Sequence, residues 1–92
     1  MLQKKLHQML FSTEHYVEVI LILTKENEEK KIFNQDIVDY MNVSRASVSV
    51  AVSKLKKEGY ICRKNKEIKL TEKGIKLGEE LLEKHNFFTI FL

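Results

Sequence analysis

Apolar residues return along this chain at the spacing of helix faces, and most of the runs are preceded by a residue with a short hydrogen-bonding side chain. Leu2, Leu6, Met9 and Leu10 mark one side of a short N-terminal amphipathic helix, which Ser12 ends by capping the next. That next helix is expected from about Thr13 to Glu26, with Tyr16, Val19, Ile20 and Leu23 turned inward. The polar stretch KENEEKK follows, then Ile32 and Phe33 as a brief strand. Asn34 is placed to cap a third helix with Ile37, Val38 and Met41 on its apolar face. Asn42 to Ser44 form a tight turn. Ser44 caps a fourth helix whose Val48, Val52 and Leu55, at i, i+4 and i+7, face the core, and Gly59 supplies the left-handed residue that ends it.

Beyond Gly59 the pattern changes. YICR and EIKL are short runs of mixed apolar and polar residues flanking KNK, which predicts a β-hairpin with a charged tip. Thr71 caps a last helix with Ile75, Gly78, Leu81, Leu82, His85 and Phe88 on one side. Helix, short strand, helix, helix, hairpin, helix is a mainly α fold with a small β-hairpin, that is, a winged helix-turn-helix. Residues 1–11 are expected to form a helical extension and residues 12–92 the winged helix-turn-helix.

This order gives the stretch NVSRASVSVAVSKLKKEGY a purpose. In a helix-turn-helix the second helix lies in the DNA major groove with its N-terminal side chains against base edges. Here residues 44–58 are the recognition helix. Opposite its buried stripe lie Ala46, Ser47, Val50, Lys54 and Lys57. Small side chains let the helix axis approach closely, the Ala46 and Val50 methyls suit thymine, and the Ser47 hydroxyl suits a base edge or phosphate. Lys54 and Lys57 would meet phosphates as the helix leaves the groove, and Arg63, Lys64 and Lys66 would reach the backbone as the wing, residues 60–70. With Ser44 and Arg45 at the helix start, these residues make up the expected DNA-binding set. The bland alternative leaves the serines as helix surface, with Ser44 explained by capping alone.

Charge supports the reading. The net charge is only +3, yet between residues 44 and 66 Arg45, Lys54, Lys56, Lys57, Arg63, Lys64 and Lys66 stand against Glu58 alone, a polyanion-facing asymmetry. The 92 residues, 43% hydrophobic and 32% charged with no proline, suit one compact helix-rich domain. The lone Cys62 precludes an internal disulfide and fits a reducing compartment. VEVILIL is too short to span a bilayer, so the expected location is cytoplasmic, with no membrane association. No catalytic constellation stands out: there is no phosphate-cradling glycine loop, Glu14 and Glu18 read as an i, i+4 surface pair, and Cys62 as a packed strand residue. The chain is expected not to be an enzyme and to take no small-molecule substrate.

EHYVE, VSRASVS, LTEKG after the hairpin and the late KH resemble, as a set, the N-terminal DNA-binding domain of the diphtheria toxin repressor family, which includes the manganese transport regulators. The resemblance covers about residues 12 to 92. It implies a metal-dependent transcriptional repressor that binds a palindromic operator in double-stranded DNA as a dimer, with Mn²⁺ or Fe²⁺ as corepressor. The family's metal ligands fall on His15, Glu18 and His85. Relatives usually carry aspartate or methionine where His15 stands, and an imidazole there also admits Zn²⁺. The family completes its site and its dimer with helices beyond the position where this chain stops, so these three ligands form either an open site or one that takes no metal. A homodimer through the Leu2, Leu6, Leu10 face and the apolar NFFTIFL would supply the second half-site reader. The alternatives are a winged-helix protein-interaction module or a truncated regulator without metal response.

Overall fold

A computed structural model describes the backbone of residues 12–91 and the side chains of residues 12–84. The expected extension over residues 1–11, with the apolar face expected there for the dimer, and the side chains of His85 and of the apolar segment that follows it lie outside the described residues.

Helix α1 (Thr13–Glu26) begins where expected: the Ser12 side chain accepts from the His15 N–H at 3.4 Å. It is the central element, packed against every other helix and against the hairpin. A single stripe therefore understates its burial. Val17, Glu18 and Leu21 are buried as well as Tyr16, Val19 and Ile20, because the last helix covers the side that the other helices leave open. Glu14 and Glu18 are thus not a surface pair: Glu14 is exposed, but Glu18 keeps only 4% of its surface.

Helix α2 (Asn34–Met41) starts at Asn34 itself, the residue expected to be its cap. Phe33 occupies the cap position, and the Asp36 carboxylate accepts its N–H at 2.8 Å while pairing with the Lys30 ammonium at 2.9 Å. Asn34 is left with another task, described below. The helix ends at Asn42, in the left-handed region with φ 56°, whose N–H returns to the Val38 carbonyl.

Helix α3 (Arg45–Lys57) is capped by Ser44 and buries Val48, Val52 and Leu55 as the pattern requires. Its end is a Schellman turn: Tyr60 N–H reaches the Leu55 carbonyl, Gly59 N–H reaches Lys56, and Gly59 takes the positive φ of 85°. Strands β1 (Ile61–Lys64) and β2 (Glu67–Leu70) pair antiparallel, with Ile61 opposite Leu70 and Arg63 opposite Ile68. Lys64 is the last strand residue, so the tip proper is Asn65 and Lys66, with Asn65 at φ 60°. Ile32 contributes only a single bridge, accepting from Ile68 N–H, rather than a strand of its own.

Helix α4 (Glu72–Phe91) is capped by Thr71, whose hydroxyl accepts from Gly74 N–H at 3.1 Å. Among residues 72–84 of this helix Gly74 and Gly78 are the buried positions, with Leu77 and Leu81 half-buried. Ile75, expected inside, is 40% exposed. The two glycines decide this rotation: a Cβ at Gly74 would run into the Tyr60 carbonyl, and one at Gly78 would meet Leu21 Cδ2 at 2.8 Å. The helix can approach that closely only on its glycine side. The arrangement is a winged helix-turn-helix, with α2 and α3 as its two crossing helices and β1–β2 as its wing. No helix among the described residues is long and apolar enough to cross a membrane.

Candidate nucleic-acid interface

The chemistry of α3 is divided by its own periodicity. Val48, Val52 and Leu55 anchor one side in the core; Ser44, Arg45, Ala46, Ser47, Val50, Lys54 and Lys57 are exposed on the other, Val50 to 70%. A branched apolar side chain left that far in water at the front of a helix is normally a packing loss, and here no other described segment covers it. Ser44 and Ser47 are paired: the Ser44 oxygen accepts the Ser47 N–H at 3.0 Å, and its hydroxyl donates to Ser47 Oγ at 2.9 Å. The front of the helix therefore carries the Ser47 hydroxyl, which can donate or accept, together with exposed Ala46 and Val50.

A groove runs beside this front, with Thr13 and Tyr16 of α1 on one wall and Ser47, Val50 and Lys54 on the other. Tyr16 is itself buried, and burial pushes its phenol above its ordinary pKa. On the other flank of α3 a second groove brings Arg45 and Ser49 alongside Arg63 and Lys66 of the wing and Asn34 of α2. The fold thus brings Arg45 to one concavity with Arg63 and Lys66, which lie 18 and 21 positions further along the chain.

Arg63 stands differently from the other wing cations. Lys64 and Lys66 are exposed, whereas Arg63 is half-buried. Its Nη1 donates to Asn34 Oδ1 at 3.1 Å and its Nη2 to the Lys66 carbonyl at 2.6 Å. Sequence reasoning missed Asn34 here because its composition and position suited a helix cap. A signal existed: strand alternation puts Arg63 on the same face as buried Ile61, and so toward the protein. The same alternation turns Cys62 outward. It is exposed, not packed as expected.

Of the expected metal ligands, His15 and Glu18 lie one turn apart on α1, with His15 Nδ1 3.8 Å from Glu18 Oε1. One imidazole nitrogen beside a buried carboxylate is a donor set that fits a first-row divalent cation in type. No group of three or more such ligands occurs among the described residues, and His85 lies outside them as to its side chain.

The family described as "Iron dependent repressor, N-terminal DNA binding domain" matches residues 8–67, from before α1 to the start of β2. The chain belongs to that family. Relatives of this chain include the HTH-type transcriptional regulator MntR of Geobacillus thermodenitrificans, 35% identical over 82 residues, which are 88% of this chain and 57% of the relative. The regulator of the same name from Lysinibacillus sphaericus is 34% identical over 82 residues, covering 88% of this chain and 58% of its own length. The chain therefore spans somewhat over half the length of the curated relatives it matches. The matched region contains α1, the helix-turn-helix and most of the wing, the parts whose surfaces are described above.

Proposed function

We propose that this chain is the DNA-reading part of a metal-responsive transcriptional repressor. The observation that carries the reading is the division of α3: a fully buried anchor stripe behind, and a small, neutral, exposed front of Ala46, Ser47 and Val50 with lysines trailing it. A helix built this way fits the major groove, where methyl groups meet thymine C5-methyls and a hydroxyl meets a base acceptor. Ser44 and Arg45 sit at the leading end near the first phosphates. Lys54 and Lys57 contact phosphates where the helix exits, and Lys64 and Lys66 contact the backbone from the wing. Two copies, related by a two-fold axis, would read a palindromic operator.

His15 and Glu18, with His85, would hold the corepressor ion, Mn²⁺ or Fe²⁺ in the family's manner. An ion held there would supply positive charge beside the buried Glu18 carboxylate. The placing of an imidazole and a buried carboxylate one turn apart on α1 supports this assignment, since both donor types suit a first-row divalent cation. Titration calorimetry with Mn²⁺, Fe²⁺ and Zn²⁺ tests it: His15→Ala and Glu18→Gln should each lower metal affinity at least about tenfold, because outer or inner ligand losses are of that order. Unchanged affinity in both variants removes them from the ligand set.

The test of DNA binding is fluorescence anisotropy with a labelled duplex across a salt series. Affinity should fall steeply as salt rises, and Lys54→Ala or Lys57→Ala should each flatten the log–log slope by about 1. Absence of binding at about 50 mM salt, where non-specific electrostatic association is strong, would refute the reading.

A further inference from the structure

Arg63 is the wing cation whose placement is least like that of a phosphate-binding residue. It belongs to the inner face of β1, in line with buried Ile61 and opposite buried Ile68. Its guanidinium lies between two elements that are otherwise separate: one N–H fork arm reaches Asn34 in the first turn of α2, 29 positions away, and the other holds the carbonyl of Lys66 at the wing tip. The wing is a two-stranded ribbon with a two-residue tip, and beyond Ile68 and its bridge to Ile32 little ties its outer end to the body. Isolated two-stranded hairpins are marginally stable, so the position of such a tip is set by whatever else holds it. Here that is the Asn34–Arg63–Lys66 chain of hydrogen bonds. A planar fork is suited to this role because both bonds are fixed by one rigid group, which a lysine ammonium cannot reproduce.

We propose that Arg63 and Asn34 form a latch that positions the wing for DNA binding. The proposal rests on the DNA-reading function above and assigns Arg63 a positioning role in it. Arg63 acts through Lys64 and Lys66: by anchoring the tip to the start of α2, it sets the wing at a fixed distance from Arg45 and α3, so that both lysines face the duplex backbone together with the recognition helix. Asn34 acts as the fixed post. It carries no charge, and so its contribution to DNA binding would be entirely indirect.

That neutrality makes the test sharp. Duplex affinity and its salt slope are measured for the wild-type chain, Asn34→Ala, Arg63→Lys and the double variant, with thermal unfolding recorded for each to confirm a native fold. Asn34→Ala removes no charge and Arg63→Lys preserves it. With a latch, each weakens binding about three- to tenfold and flattens the log–log slope by about 1 to 2, the share of the two wing lysines. The double variant is then no worse than either single, as expected for partners in one interaction. ¹⁵N relaxation supplies a readout that does not depend on DNA: the Asn65 and Lys66 amides should be as ordered as α3 in the wild type and markedly more mobile in both variants. Wild-type affinity and slope in Asn34→Ala and Arg63→Lys would overturn the latch while leaving the DNA reading intact. If the wild-type chain ignores duplex DNA at low salt, the functional reading fails, and a rigid wing tip in Asn34→Ala would separately overturn the latch.

Discussion

Thr71 and Gly59, twelve residues apart, are joined by a 2.6 Å hydrogen bond in which the threonine hydroxyl donates to the glycine carbonyl. The same oxygen accepts from Gly74 N–H and so caps α4. One hydroxyl therefore closes the end of α3 and opens α4. Lys73 reinforces the joint, its ammonium donating to the Glu58 carbonyl at 2.9 Å and lying 4.5 Å from the centre of the Tyr60 ring. The helix whose front is exposed is in this way fixed to the helix that flanks α1 on its far side.

Thr71→Ala should cost about 1–2 kcal/mol, the loss of an N-cap together with a side-chain hydrogen bond. Thr71→Ser, which keeps the oxygen in place, should recover most of it. Urea denaturation of the three proteins checks this, and equal stability of the alanine and serine variants would show that the hydroxyl is not what matters.

Gly74→Ala should destabilise the fold although alanine favours helix. The new methyl is directed at the Tyr60 backbone carbonyl, which cannot rotate away, and such overpacking costs about 1–3 kcal/mol. At Gly78 the nearest obstacle is the end of the flexible Leu21 side chain, so Gly78→Ala should cost less. Chemical denaturation midpoints should rank wild type above Gly78→Ala and Gly78→Ala above Gly74→Ala.

Val50→Glu separates interface from fold. The residue is 70% exposed, so stability should change by no more than about 0.5 kcal/mol. A carboxylate at the front of α3 would oppose phosphates and base acceptors, and duplex affinity should fall at least about tenfold. Retained affinity in this variant would place the DNA-reading surface elsewhere.

The Lys30–Asp36 pair gives the fold an acid-sensitive contribution. Partial burial by itself would raise the Asp36 pKa, but the Lys30 ammonium and the Phe33 N–H bonded to its carboxylate outweigh it and hold the group below its ordinary 3.8. A folded-state value below the unfolded one means stabilisation that is complete above about pH 4 and is lost as pH falls through the lowered value. The lysine, raised above 10.5 chiefly by its hydrogen bond to Asp36, contributes up to that pH and loses its part as pH climbs through the raised value. Asp36→Asn should therefore be less stable than wild type at neutral pH, with the gap narrowing below pH 4. Thermal unfolding followed from pH 7 to pH 2 measures it, and a gap independent of pH would assign the effect to capping alone.

Periodicity and capping residues by themselves determined α1, α3, the hairpin, the left-handed Gly59 and the start of α4, because those features depend on neighbours within one or two turns. The buried stripe Val48, Val52 and Leu55, and with it the exposed front of Ala46, Ser47 and Val50, were readable for the same reason: one helix face excludes the other. Four short motifs, EHYVE, VSRASVS, LTEKG and the late KH, carry the likeness to the family in the sequence itself.

Only the tertiary structure decided which way α4 turns, that Glu18 is enclosed, that Cys62 is outside, and that Asn34 holds Arg63 rather than capping α2. Each of these depends on what a second, distant element brings close. Gly74 and Gly78 let one helix face touch backbone and Leu21, and that close approach carries Ile75 into solvent. Arg63 carries the same charge in either role, and it becomes a brace only where the inner face of β1 meets the first turn of α2. Sequence spacing records the repeat within an element, whereas the meeting of two elements is set by packing between them.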